Sequence, residues 1–240
     1  AQRFVRIQSV LITSFTLALS LGTLIPLGAG AQTLPSTPAN QLRLFDLFKQ
    51  GKALIDAGKY DEAVEIYRQA LSFDGKNARI FSAVGYIRTQ QGAFPDAIAA
   101  YRQAIAIDPR DANFYYAVAF CYANMNDYGN AIRNYEQAIQ LDPKLLQAYE
   151  GLAVLNSRQR NFSAALTLYQ KIVSIDPKNA NAYRSLGILA LQQQRIPEAI
   201  ASLEQAAKFA PKSGEVQIGL AYAYIAQGNV PAAVAAANEA

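Results

Sequence analysis

Small and large apolar residues return at fixed phase every 34 positions from residue 44 onward. Alanine holds one phase throughout, at Ala63, Ala97, Ala131, Ala165, Ala199 and Ala233. Four positions after the first five of these stand Tyr67, Tyr101, Tyr135, Tyr169 and Leu203. A second large series, Tyr60, Phe94, Tyr128, Phe162, Ile196 and Val230, precedes the alanines by three positions. Spacings of three and four place all of these on one helical face. Upstream in each period lies another small residue: Gly51, Gly85, Ala119, Ala153, Gly187 and Ala221. The pattern predicts two helices per period that approach closely through the small residues, with large side chains filling the space between successive pairs.

The punctuation agrees. Pro109, Pro143, Pro177 and Pro211 are 34 apart, and Gly75 holds the same place one step earlier. These residues end each second helix. Asn77, Asp111, Asn179 and Ser213 then offer N-caps for the next first helix, whereas Leu145 does not. Pro95, Pro197 and Pro231 fall in first helical turns, where the missing N–H costs nothing. Ile172 departs from the small residue that most periods carry in its phase.

A 34-residue helix–turn–helix pattern of this kind resembles the tetratricopeptide repeat (TPR) family. The resemblance covers residues 44–240. It implies an all-α fold, a right-handed superhelical solenoid of TPR helix–turn–helix units at 44–77, 78–111, 112–145, 146–179 and 180–213, with a partial unit at 214–240. It also implies a non-catalytic scaffold or assembly factor that takes a segment of a protein partner on the concave face of the first helices. Bacterial TPR proteins with an apolar N-terminal segment include photosystem, pilus and envelope assembly factors, so a membrane complex such as a photosystem is an expected destination. Two alternatives stand beside this. One is a regulatory or interaction arm of an enzyme whose catalytic domain lies beyond residue 240. The other is a structural solenoid that associates with itself through its mostly apolar C-terminal end.

The phase sorts a conspicuous aromatic stretch. Residues 114–128 hold Phe114, Tyr115, Tyr116, Phe120, Tyr122 and Tyr128. Tyr115, Tyr122 and Tyr128 occupy the large positions of the repeat and read as core, with Phe114 an inter-unit contact. Cys121 stands where alanine is usual and reads as a small buried filler. Tyr116 and Phe120, four apart, fall on the groove face that the resemblance assigns to partners. The same phases elsewhere supply Arg79 and Tyr86, Asn113 and Asn124, then Gln147, Glu150 and Arg158, then Asn181, Arg184 and Ile188. Amide side chains beside rings suit an extended peptide, whose backbone needs hydrogen bonds and whose side chains need burial. The chaperone-type carboxylate clamp of this family is not expected, because its positions hold Phe48, Lys52, Ser82, Tyr86, Asn113 and Ala117.

Composition narrows the chemistry. The chain has no His and one Cys. The commonest general base and metal ligand is therefore missing, and neither a Cys–His nucleophile pair nor an intramolecular disulfide can form. No phosphate-binding glycine loop or metal-ligand spacing occurs, so no catalytic residue, cofactor or metal is expected. The net charge of +4 includes Arg3 and Arg6, and no basic cluster suggests nucleic acid. Those two arginines precede the apolar stretch Val10–Gly28 and the small run Ala29-Gly30-Ala31. Residues 1–31 thus read as a secretory signal cleaved after Ala31, or as an uncleaved membrane anchor. Either places the remainder in a periplasm or lumen, with membrane contact confined to residues 7–31. Residues 32–43 read as a linker on the strength of Pro35, Ser36, Thr37 and Pro38.

Overall fold

The computed structural model describes residues 37–240, which lie within one compact unit, Thr33–Ala240. The signal or anchor read in residues 1–31 lies outside the described residues, as do residues 32–36 of the linker. The described residues form helices and no strands. The helices come in pairs: α1 (Pro38–Asp56) with α2 (Tyr60–Phe73), α3 (Ala78–Gln90) with α4 (Phe94–Ile107), α5 (Ala112–Asn124) with α6 (Tyr128–Leu141), α7 (Leu146–Arg158) with α8 (Phe162–Ile175), α9 (Ala180–Gln192) with α10 (Ile196–Phe209), and α11 (Gly214–Gln227) with α12 (Val230–Asn238). Each helix packs on its neighbours in the chain, giving an all-α superhelical repeat. No described helix is long and apolar enough to cross a membrane.

Local chemistry sets the helix boundaries. Asn77, Asp111 and Asn179 accept backbone N–H groups from Arg79, Asn113 and Ala182, and so cap α3, α5 and α9. Ser213 does not act as expected. Its side chain makes no cap bond, and its carbonyl instead accepts the amides of Val216 and Gln217. α1 begins inside the stretch read as linker, so residues 38–43 are helical. Thr37 accepts the Asn40 amide at 3.2 Å, and Pro38 sits in the first turn, where its fixed φ suits a helix start. Inside every pair the chain reverses through a left-handed residue. These are Gly58, Gly92, Asn126, Arg160, Gln194 and Gly228, with φ between 59° and 84°. Three of the six are not glycine and hold a conformation that L-residues disfavour.

The packing rests on one recurrent wedge. Tyr67 lies against Gly51 so closely that an added Cβ would come within 2.7 Å of its ring, and Tyr101 lies against Gly85 at 2.9 Å. In the third pair that phase is Ala119, and the ring of Tyr135 sits tightly over Gly151 of the following helix instead. Leu203 is gripped from two sides. A Cβ on Gly187 would meet its Cγ at 2.5 Å, and one on Gly219 would meet its Cδ2 at 2.8 Å. The large side chains of α2, α4, α6 and α10 are thus lodged against the first helix of their own pair, of the next, or of both.

Two junctions pair a small residue with a large one. Ala104 faces the bulky Phe114 in one cluster, while the exceptional Ile172 shares a cluster with the small Ala182. Cys121 is fully buried, its Sγ 3.4 Å from Thr89 Oγ1, and burial pushes the thiol above its ordinary value. The three tyrosines read as core are only half-buried. Their rings cover the cluster of Ala131, Tyr135 and Leu152 or its neighbour, while the hydroxyls reach outward. Tyr115 donates to the Pro109 carbonyl, Tyr128 donates to Asn126 Oδ1, and Tyr122 accepts from Arg102. A phenol has an apolar body and a polar tip, and here only the body is buried. Phe114, without that tip, is fully buried.

The wedge makes a definite energetic prediction. Gly187→Ala should cost about 1–3 kcal/mol through overpacking against Leu203. Leu203→Ala alone should cost about 2–5 kcal/mol through the cavity it leaves. The double variant should cost clearly less than the sum, because each change relieves the other. Urea unfolding of the four proteins checks this, and strict additivity would show that the two residues do not press on each other.

Candidate partner-binding site

Among the first helices α3 adjoins α5, α5 adjoins α7 and α9 adjoins α11, and these helices form the inner layer. One phase of this layer is apolar in every pair after the first: Tyr86, Phe120, Val154, Ile188 and Tyr222. Tyr86, Phe120 and Tyr222 stay 46%, 40% and 42% exposed. Polar phases flank this line, with Arg79, Asn113, Gln147, Asn181 and Glu215 on one side.

Between α5 and α7 the layer opens into a cavity of about 270 Å³. Its base is Ala123, Tyr135, Gly151 and Leu155; its walls are Tyr116, Phe120 and Val154; its rim is Asn124, Gln147, Glu150 and Arg158. Six residues marked out from the sequence thus meet in one place: Tyr116, Phe120, Asn124, Gln147, Glu150 and Arg158. Tyr116 leans on Tyr135 with ring centroids 6.0 Å apart, which fixes the wall to the base. Asn124 Nδ2 donates to the Phe120 carbonyl at 2.8 Å, leaving its Oδ1 as the acceptor at the rim.

The other six lie elsewhere along the layer. Arg79 and Tyr86 are exposed on α3. Asn113 spends its side-chain amide on Asp111 at 2.8 Å, at the start of α5. Asn181 and Ile188 are on α9, exposed and half-buried respectively. Arg184 pairs with Glu215 at 3.0 Å, and its Nε is buried without a hydrogen-bond partner among the described residues.

Sequence reasoning missed the base of the cavity, because Tyr135 belongs to the packing series and only the unusual Gly151 beside it gives a hint. It also stopped before α11, where Ile218 and Tyr222 continue the groove phases and are exposed.

Burial dominates the electrostatics of the buried phenols. It pushes Tyr101 up to about 12 from its ordinary 10.0, with a hydrogen bond from Thr89 as a smaller opposing effect. Burial likewise raises Tyr67, Tyr116, Tyr135 and Tyr169. None of these phenols is poised to ionise near neutrality, so the base of the site acts as a neutral surface. Among the described residues no group of three His, Cys, Asp or Glu is placed to hold a metal.

Known families and structures match this architecture. Models described as TPR repeat match residues 51–92 and 85–126, and models described as tetratricopeptide repeat match residues 125–189 and 190–240. The chain belongs to the tetratricopeptide repeat family. No curated protein sequence matches it significantly. Among solved structures it is similar to PilF of Pseudomonas aeruginosa, at 16% identity and a TM-score of 0.72, covering 82% of this chain and 90% of that one. PilW, described as a widely conserved type IV pilus biogenesis factor, matches at 15% identity and 0.68 over 84% and 91%. YrrB, described as a TPR protein with an unusual peptide-binding site, matches at 15% and 0.57 over 71% and 88%. At these identities the likeness is one of fold.

The raised phenols predict alkaline lability. The folded chain keeps the Tyr101 proton between pH 10.0 and about 12, where the unfolded chain has lost it. Stability from this group is therefore full below pH 10 and declines as pH rises toward about 12. Tyr101→Phe removes that proton and should flatten part of the decline in denaturant midpoint over this range. An identical decline in the variant would show that Tyr101 does not titrate as described.

Proposed function

We propose that this chain is a non-catalytic scaffold that holds an extended segment of a protein partner along its inner helical layer, with the α5–α7 cavity as the anchoring point. The observation that carries this reading is the cavity itself: an apolar base and walls with amide and charged groups confined to the rim. Recognition sites commonly bury a few side chains of the partner in such a pocket and leave polar groups to set orientation. The exposed apolar line from Tyr86 to Tyr222 extends the surface on both sides.

Export or anchoring by residues 1–31 places this scaffold at an envelope or internal membrane, where it assists assembly of a membrane complex. A pilus or a photosystem meets that description. PilW supplies a precedent of the same fold in pilus biogenesis, at the level of architecture.

The anchoring role is tested with Phe120→Ala. The side chain is substantially exposed, so the fold should persist. Affinity for the partner segment captured from the native membranes should fall about tenfold or more, as for a central aromatic anchor. Undiminished binding by a folded variant would remove the cavity from the reading.

One observation favours a second role. Val230 and Val234 on α12 are 63% and 54% exposed, on the face that the other second helices turn toward the next pair. Self-association through this face would join two α12 helices. Sedimentation over a range of concentrations should then show a dimer that Val234→Glu abolishes. A monomer at every concentration rules the association out.

A further inference from the structure

The α5–α7 cavity has a polarity along its length. Three rows of side chains cross it: Tyr116 with Glu150, Phe120 with Val154, and Asn124 with Arg158. Glu150 and Arg158 lie eight residues apart on α7, which at 1.5 Å per residue separates their backbones by about 12 Å. Both are exposed, and neither forms a salt bridge among the described residues. The trough therefore offers a carboxylate at one end, a guanidinium at the other, and apolar walls over a buried base between them.

We propose that the segment bound here lies along α7 and carries a large apolar side chain midway between a basic and an acidic residue. This rests on the peptide-binding reading above and specifies the ligand of that site. The basic residue meets Glu150, the apolar residue fills the space between Phe120 and Val154, and the acidic residue meets Arg158. An extended chain advances about 3.3–3.6 Å per residue, so about 12 Å corresponds to charges separated by three to four residues. Both peptide ends are satisfied only by that composition. A doubly basic segment sets a cation against Arg158, and a doubly acidic one sets an anion against Glu150; each loses one attraction and gains one repulsion. Asn124 and Gln147 supply amide groups for the peptide backbone beside the same rows. The chain direction is free, since either direction brings the basic residue to Glu150.

The test uses the full chain and labelled peptides with blocked ends and cores Lys-Gly-Phe-Gly-Asp, Lys-Gly-Phe-Gly-Lys and Asp-Gly-Phe-Gly-Asp, plus the first with Ala for Phe. Fluorescence anisotropy at low salt should rank the mixed-charge peptide first, about tenfold above the others. Glu150→Lys should transfer the preference to the doubly acidic peptide, and Arg158→Glu should transfer it to the doubly basic one. Glu150→Gln and Arg158→Gln, which only remove charge, should erase the discrimination at their own ends. Circular dichroism confirms that each variant is folded. A ranking unchanged by these substitutions, equal binding of the Ala peptide, or no binding of any peptide would overturn the proposal. If Phe120→Ala still abolishes capture of the native partner while the charge variants leave the ranking unchanged, the groove reading stands and the charge pattern alone is wrong.

Discussion

The structure depends on a size mismatch repeated at each junction. A large side chain from a second helix needs room, and glycine or alanine on the adjoining first helices provides it. Tyr67 has Gly51, Tyr101 has Gly85, Tyr135 has Gly151, and Leu203 has both Gly187 and Gly219. Close packing is short-ranged, so these contacts fix the separation and rotation of the helices far more tightly than the bulk hydrophobic effect. The fully buried alanines, such as Ala63, Ala97 and Ala131, hold the two helices of each pair at matching distance.

The same wedge builds the site. A tyrosine driven between first helices comes close to the inner layer, so the structural series doubles as the base of the groove. Where Ala119 crowds one side and Gly151 opens the other, Tyr135 is 3% exposed yet forms the bottom of the α5–α7 cavity. Its neighbours Tyr116 and Phe120 then have somewhere to stand. Had the phase of Tyr116 held a serine, as at Ser82, the wall over Tyr135 would be missing. The cavity is thus a product of one ordinary packing rule and two local departures from it.

The repeat was legible because packing constrains residue type at fixed spacing, and a period of 34 exposes that constraint within a single chain. Three features were less legible, each for a physical reason. Phase gives the direction of a Cβ but not how far a phenol reaches, so Tyr115, Tyr122 and Tyr128 stand at core phases yet are only half-buried. The extra turns of α1 were hidden because proline marks both linkers and helix starts, and only the Thr37 cap separates the two cases. The left-handed turns are written clearly as Gly58, Gly92 and Gly228, but Arg160 and Gln194 carry no such mark. At those positions the packed helices on either side impose the turn, and the backbone tolerates the strain.

The chain also serves as its own comparison set. Phases that press helix on helix hold one chemistry from pair to pair, as in Ala63 through Ala233. Phases on the inner layer behave differently: one runs Arg79, Asn113, Gln147, Asn181, Glu215, and the next runs Ser82, Tyr116, Glu150, Arg184, Ile218. Helix-on-helix packing does not require that variety, because residues as different as Ser82, Tyr116 and Glu150 are accommodated at one phase. Between them the line of Tyr86, Phe120, Val154, Ile188 and Tyr222 stays apolar although solvent reaches it. A solvated helix face under no other demand would favour polar residues there. An apolar line kept along a variable polar surface is what a groove needs to bind a chain continuously while reading its side chains one position at a time.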